Sequence, residues 1–138
     1  MSSTLFDLTG KVALITGSSK GIGLAIAEEM ARHGAQVVIS SRKADVCQEV
    51  ADAINLELAD AVGGATVIPA HIGRKEDLQD LVDKTRVALG KIDILVCNAA
   101  VNPYYGPMRD LPDEAVGKIL GVNMRSHHGR ANMVLREM

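Results

Sequence analysis

Apolar residues occur in two kinds of run that alternate along the chain. Short unbroken runs stand at Val12-Ala13-Leu14-Ile15, Ala35–Ser40, Ala65–Ala70 and Ile92–Cys97. Between them apolar residues recur every three or four positions. The unbroken runs predict buried strands at 11–16, 35–40, 65–70 and 92–97. The spaced runs predict amphipathic helices at 21–33, 43–62, 75–89 and 113–136. In the first helix Ile22, Ile26, Met30 and His33 share a stripe; in the second Val46, Val50, Ala53, Ile54 and Leu58 do. The third repeats Leu78, Leu81, Val82, Thr85, Ala88 and Leu89. Gly34, Gly63-Gly64 and Gly90 are read as helix stops. Pro69, without an amide donor, suits a sheet edge or a strand end.

Strands alternating with helices make βαβ units, which cross over right-handed and build a parallel sheet. The expected fold class is α/β: a Rossmann-like doubly wound sheet, strand order 3-2-1-4, with helices on both faces, in one domain over residues 1–138. In that order the direction of winding reverses between the first and fourth strands. Ligands bind at this point, beyond the carboxyl ends of the strands. The segments after those two strands, Gly17–Gly23 and Asn98-Ala99-Ala100, are therefore expected to face each other.

Composition narrows the picture. The chain has 47% hydrophobic residues, two Tyr, one Phe and no Trp. Its core must be aliphatic, as sheets buried on both faces require. A net charge of −2 without a long basic run argues against nucleic acid. The apolar runs are too short to span a membrane. The first residues lack the charged and apolar regions of a secretory signal. Cys47 and Cys97 stand apart, with no metal-ligand spacing, which fits a reducing cytoplasm.

Thr16-Gly17-Ser18-Ser19-Lys20-Gly21-Ile22-Gly23 joins a strand to a helix. Glycines there allow a tight turn and close approach, and the helix start offers free N–H groups to an anion. The Gly-Lys-Ser/Thr ending of a nucleoside triphosphate loop is missing, so a phosphotransferase ranks third among the readings. About 20 residues on, where an acidic residue would meet a ribose 2′-hydroxyl, the chain has Ser40-Ser41-Arg42-Lys43. Arg42, with Lys20 in reach, suits a 2′-phosphate instead, so NADP(H) is preferred over NAD(H).

The turn resembles the T-G-x-x-x-G-x-G signature of the short-chain dehydrogenase/reductase family. Asn98-Ala99-Ala100 resembles that family's N-A-G motif, with alanine in place of glycine. Gly121-Val122-Asn123 is similar to the segment carrying its catalytic asparagine. The resemblance covers nearly all of this chain but only about half of a typical member. It implies cofactor contacts by Gly17, Ser19, Lys20, Gly21, Ile22, Gly23, Ser41 and Arg42. It also implies a ribose border at Asn98, Ala99 and Ala100, and a catalytic role for Asn123. Its usual aspartate near adenine is matched here by His71, with Ile72 as an aliphatic wall. Asn123 can alternatively be satisfied by backbone. His127-His128 is read as helix surface or subunit contact.

The family chemistry is hydride transfer between a nicotinamide and a carbonyl or alcohol, using a serine and a Tyr-x-x-x-Lys pair. The resemblance puts these beyond Met138, after a fifth strand. Tyr104 and Tyr105 are followed four residues on by Met108 and Arg109, not lysine. The expectation is an NADP(H)-dependent short-chain oxidoreductase, as a fragment or shortened member, acting on a small carbonyl or alcohol and forming a homo-oligomer. The alternative is a non-catalytic dinucleotide-binding or assembly module.

Overall fold

In the computed structural model, which describes residues 4–136, four parallel strands pair in the order β3-β2-β1-β4. The strands are β1 (Val12–Thr16), β2 (Gln36–Ser40), β3 (Gly64–Val67) and β4 (Ile94–Val96). Register is set by Leu14 opposite Val38 on one side and opposite Leu95 on the other. The expected order and parallel sense are those observed.

Alternation along the strands divides the core into two halves. Ala13, Ile15, Val37 and Ile39 point to α1 (Gly21–Arg32) and α2 (Ala44–Glu57). Leu14 and Val38 point the other way, to α3 (Lys75–Leu89) and the far end of α5 (Ser126–Leu135). Both faces of β1 and β2 are thus dry, and each fully buried aliphatic side chain there stabilises by about 1.5–3 kcal/mol.

Three expectations change in detail. In α1 the buried stripe is Gly23, Ala27 and Ala31, while Ile22 is 75% exposed. Small side chains bring α1 close to the sheet; Ile26 and Met30 fill its flanks. Next, α2 ends at Glu57 rather than 62. Asn55 ties its last turn to β3, accepting from the Ala65 N–H and donating to the Ala65 carbonyl. Those two bonds turn the chain before Gly63-Gly64 is reached. Finally, the last helix is three pieces: α4 (Asp113–Leu120), a π-helical turn (Gly121–Arg125) and α5. π turns are rare and recur at functional sites.

Strands β3 and β4 are shorter than expected. Pro69 lies past the end of β3, which is an edge strand. Asp93 precedes β4 and bonds sideways: its carboxylate accepts from the Val12 N–H at 2.8 Å, and its own N–H donates to the Val12 carbonyl. β4, at the other edge, is only half-buried. Gly34 and Gly90 close α1 and α3 as expected, with φ of +102° and +83°.

Candidate functional site

β1 and β4 end side by side, and the segments that follow them interlock. The Asn98 carboxamide donates to the carbonyls of Thr16 and Gly17, at 3.2 and 3.1 Å. The Thr16 hydroxyl accepts from the Ala99 N–H at 3.2 Å. The two sequence motifs are therefore one unit. Gly17 has φ +64°, a conformation that favours glycine, and a Cβ there would sit 3.0 Å from the Ala99 Cβ. Gly23 is needed for space instead: a Cβ would press into the Gly17 carbonyl and lie 2.5 Å from the Asn98 amide nitrogen.

Ser18, which sequence reasoning passed over, binds the turn to the end of β2. Its hydroxyl donates to the Ile15 carbonyl at 2.7 Å and accepts from the Ser40 N–H at 2.9 Å. This sets the Ser41-Arg42 corner beside the glycine turn. The Ser41 hydroxyl sits 3.1 Å from the Cys47 sulfur.

Around these segments opens a cavity of about 520 Å³. Its walls include Gly17, Ser19, Lys20, Gly21, Ser41, Arg42, His71, Ile72, Asn98, Ala99 and Ala100. Sequence reasoning named all of these. Three other named residues stand outside the wall. Ile22 is exposed on the first turn of α1, Gly23 is buried behind the glycine turn, and Asn123 is turned elsewhere. Val122, inside the Gly121-Val122-Asn123 motif, lines the cavity, as does Lys118 of α4, which had no sequence signal because the loop that brings α4 over the site has no period to read.

The cavity is electropositive. Lys20, Arg42 and Lys118 line it, and no carboxylate does among the described residues. His71 adds a directed polar group. Its Nδ1 accepts from the Gly73 N–H at 3.1 Å, so that nitrogen is unprotonated and Nε2 carries the ring proton. The His71 N–H donates to Asp77 at 3.2 Å, which fixes the segment at the end of β3.

Asn123, in the π-helical turn, pairs with the Val101 backbone. It accepts from the Val101 N–H at 2.8 Å and donates to the Val101 carbonyl at 2.9 Å. The satisfied-by-backbone alternative describes its contacts. It clamps the segment after Asn98-Ala99-Ala100 against the helix. His127, expected at the helix surface or in a subunit contact, is half-buried in this chain, and its Nε2 lies 2.9 Å from the Ala99 carbonyl. A carbonyl only accepts, so Nε2 carries the proton there. His128 stays exposed, paired with Asn132 at 2.9 Å. Tyr104 donates to the Pro107 carbonyl within its own loop, and Tyr105 is fully exposed.

Among the described residues no cluster of His, Cys, Asp or Glu could hold a metal, and both cysteines are free. No described helix is long and apolar enough to cross a membrane.

Over 131 residues the chain is 43% identical to dehydrogenase/reductase SDR family member 4 of Oryctolagus cuniculus, covering 95% of this chain and 49% of the relative. Its backbone matches a short-chain type dehydrogenase/reductase from Mycobacterium marinum with TM-score 0.86 at 38% identity, covering 96% of this chain and 52% of the other. An alcohol dehydrogenase from the archaeon Thermococcus sibiricus, complexed with 5-hydroxy-NADP, matches with TM-score 0.85 at 26% identity, over 92% of this chain and 52% of that one. The chain thus spans about half the length of the relatives it matches. Residues 11–138 match the family model described as short chain dehydrogenase, and with the glycine turn and Asn98 interlocked as one site, the chain belongs to the short-chain dehydrogenase/reductase family.

Proposed function

We propose that the cavity at the ends of β1 and β4 binds NADP(H) in preference to NAD(H). The observation that carries this reading is the charge of the wall: Lys20 of the glycine turn and Arg42 at the corner after β2 both line the cavity, with no carboxylate lining it among the described residues. A carboxylate there would favour a 2′-hydroxyl; a guanidinium and an ammonium favour a 2′-phosphate. The space fits a nucleotide, since Gly17 and Gly21 present backbone without side chains, both at positive φ. Gly17, Ser19 and Gly21 would hold the pyrophosphate, with Ile22 at its edge and Lys20 reaching the 2′-phosphate. Ser41 and Arg42 would hold the 2′-phosphate, His71 and Ile72 the adenine, and Asn98, Ala99 and Ala100 the nicotinamide-side ribose. Gly23 and Asn123 support the two walls. When bound, the dinucleotide supplies the hydride.

The whole activity we assign is reduction of a small carbonyl, or oxidation of an alcohol, by a longer or associated assembly in a reducing compartment. For residues 1–138 by themselves, binding without turnover is favoured. The Tyr104 hydroxyl is spent on Pro107, and Tyr105 points to solvent with no lysine four residues on.

The test titrates the chain and its Arg42→Ala variant with NADPH and NADH. The expected result is tighter NADPH binding by wild type, a loss on the order of tenfold for NADPH in the variant, and little change for NADH. Equal binding of both cofactors by wild type overturns the preference, and no binding of either overturns the site.

A further inference from the structure

A second cavity, about 630 Å³, lies between α3 and the stretch from Gly121 to Arg136. It is separate from the site at the glycine turn; Ile72 is the one residue that lines both. Three cations from three segments line it. Lys75 opens α3, Arg125 closes the π-helical turn, and Arg136 follows α5. None of the three forms an ion pair among the described residues. Arg86 also lines the space but is engaged, donating to the Met133 carbonyl at 3.0 Å and lying 3.6 Å from Asp83.

The sign of the cavity does not follow from composition, because the chain carries a net charge of −2. α3 bears Glu76, Asp77, Asp80 and Asp83, yet no carboxylate lines the cavity among the described residues. Of the charged residues of α3, Lys75 and Arg86 line the cavity and the acidic ones do not. A wall that carries charge of one sign favours a ligand of the opposite sign. Leu78 and Met133 add apolar wall between the charged ends, and the volume is that of a small-molecule pocket. From Arg125 to Arg136 the helical rise is about 16 Å, so the charges are spread along a groove rather than focused at one point.

We propose that this groove is a second ligand site, for a small molecule carrying several phosphate groups. It is independent of the nucleotide reading, since it shares none of the cations assigned there. The probe is inorganic tripolyphosphate, titrated calorimetrically into the full chain and two variants whose folding is checked by circular dichroism. One variant is Lys20→Gln with Arg42→Gln. The other is Lys75→Gln with Arg125→Gln and Arg136→Gln. All five side chains are at the surface of a cavity, and neutral glutamine leaves the fold intact. The expected result is that the first variant still binds tripolyphosphate, and that adding the three groove substitutions to it weakens binding at least tenfold. Loss of all tripolyphosphate binding in the first variant overturns the proposal. So does undiminished binding once all five cations are removed.

Discussion

The carboxamide nitrogen of Asn98 donates to the Gly17 carbonyl at 3.1 Å, joining residues 81 positions apart in the chain. It donates to the Thr16 carbonyl as well, so one side chain serves both residues at the mouth of β1. Asn98→Ala leaves those partly buried carbonyls without this donor. The expected loss is about 1–2 kcal/mol in urea unfolding, with weaker NADPH binding beyond what stability explains. Unchanged affinity in a folded variant would show that the clamp does not shape the site.

Glycine positions separate space from conformation. A methyl at Gly23 collides with the Gly17 carbonyl and the Asn98 amide, whereas one at Gly129 meets nothing within 4 Å. Gly23→Ala should destabilise by about 1–3 kcal/mol and abolish nucleotide binding. Gly129→Ala, inside α5, should raise stability by up to about 1 kcal/mol. Thermal melts of the two variants, moving in opposite directions, check the assignment.

Arg130 is wholly buried, and none of its three guanidinium nitrogens has a hydrogen-bond partner among the described residues. It shares a buried stripe with Val122, Ser126 and Val134. Desolvating an unpaired charge is strongly unfavourable. Arg130→Met keeps much of the volume and removes the charge, so the melting temperature should rise, by the equivalent of about 1–4 kcal/mol. A lower melting temperature would mean that the guanidinium is paired in solution.

Asp93 links the pH axis to the sheet. The Val12 N–H, and after it the Lys91 ammonium 3.0 Å away, hold its carboxyl below the ordinary carboxylate range. A carboxyl lowered on folding stabilises the fold above its unfolded pKa, about 3.9, and loses that contribution as pH falls through the folded value. Asp93→Ala should therefore lower stability at neutral pH by about 1 kcal/mol and flatten the acid limb of the stability curve. Denaturant midpoints taken from pH 7 down to pH 2 read both effects; a limb as steep in the variant as in wild type would assign the acid sensitivity to other carboxyls.

What could be read in advance, and what could not, divides along physical lines. The strands were legible because Val12–Ile15 and Val37–Ile39 are buried on both faces, which leaves unbroken apolar runs. Gly34 and Gly90 were legible because a positive φ nearly demands glycine. The contact face of α1 was not, since close packing selects Gly23, Ala27 and Ala31 while apolar periodicity draws the eye to Ile22. The site's loops were legible as motifs, but their fastening was not. Asn123, His127 and Ser18 act through bonds to backbone atoms of Val101, Ala99, Ile15 and Ser40, and backbone partners leave no mark on side-chain pattern. The end of α2 was misread for the same reason, because Asn55 closes it on the Ala65 backbone. Lys118 reaches the cavity from a different element, at a distance no spacing rule covers.

The half-burial of β4 bears on how tightly any nucleotide could be held. Of the cavity's two walls, one grows from β1, gripped on both sides, and the other from β4, paired only to β1 through Ala13, Leu14 and Ile15. An edge held from one side opens more often than the strand beside it. An opening that carried Asn98 away from Gly17 would dissolve the site. Apparent affinity is then the intrinsic affinity scaled by the fraction of time the edge is closed. Conversely, a bound nucleotide would slow amide exchange most at Ile94–Val96, far more than at the already protected Val37–Ile39. Whatever covers the open side of β4 would thereby strengthen nucleotide binding without touching the nucleotide.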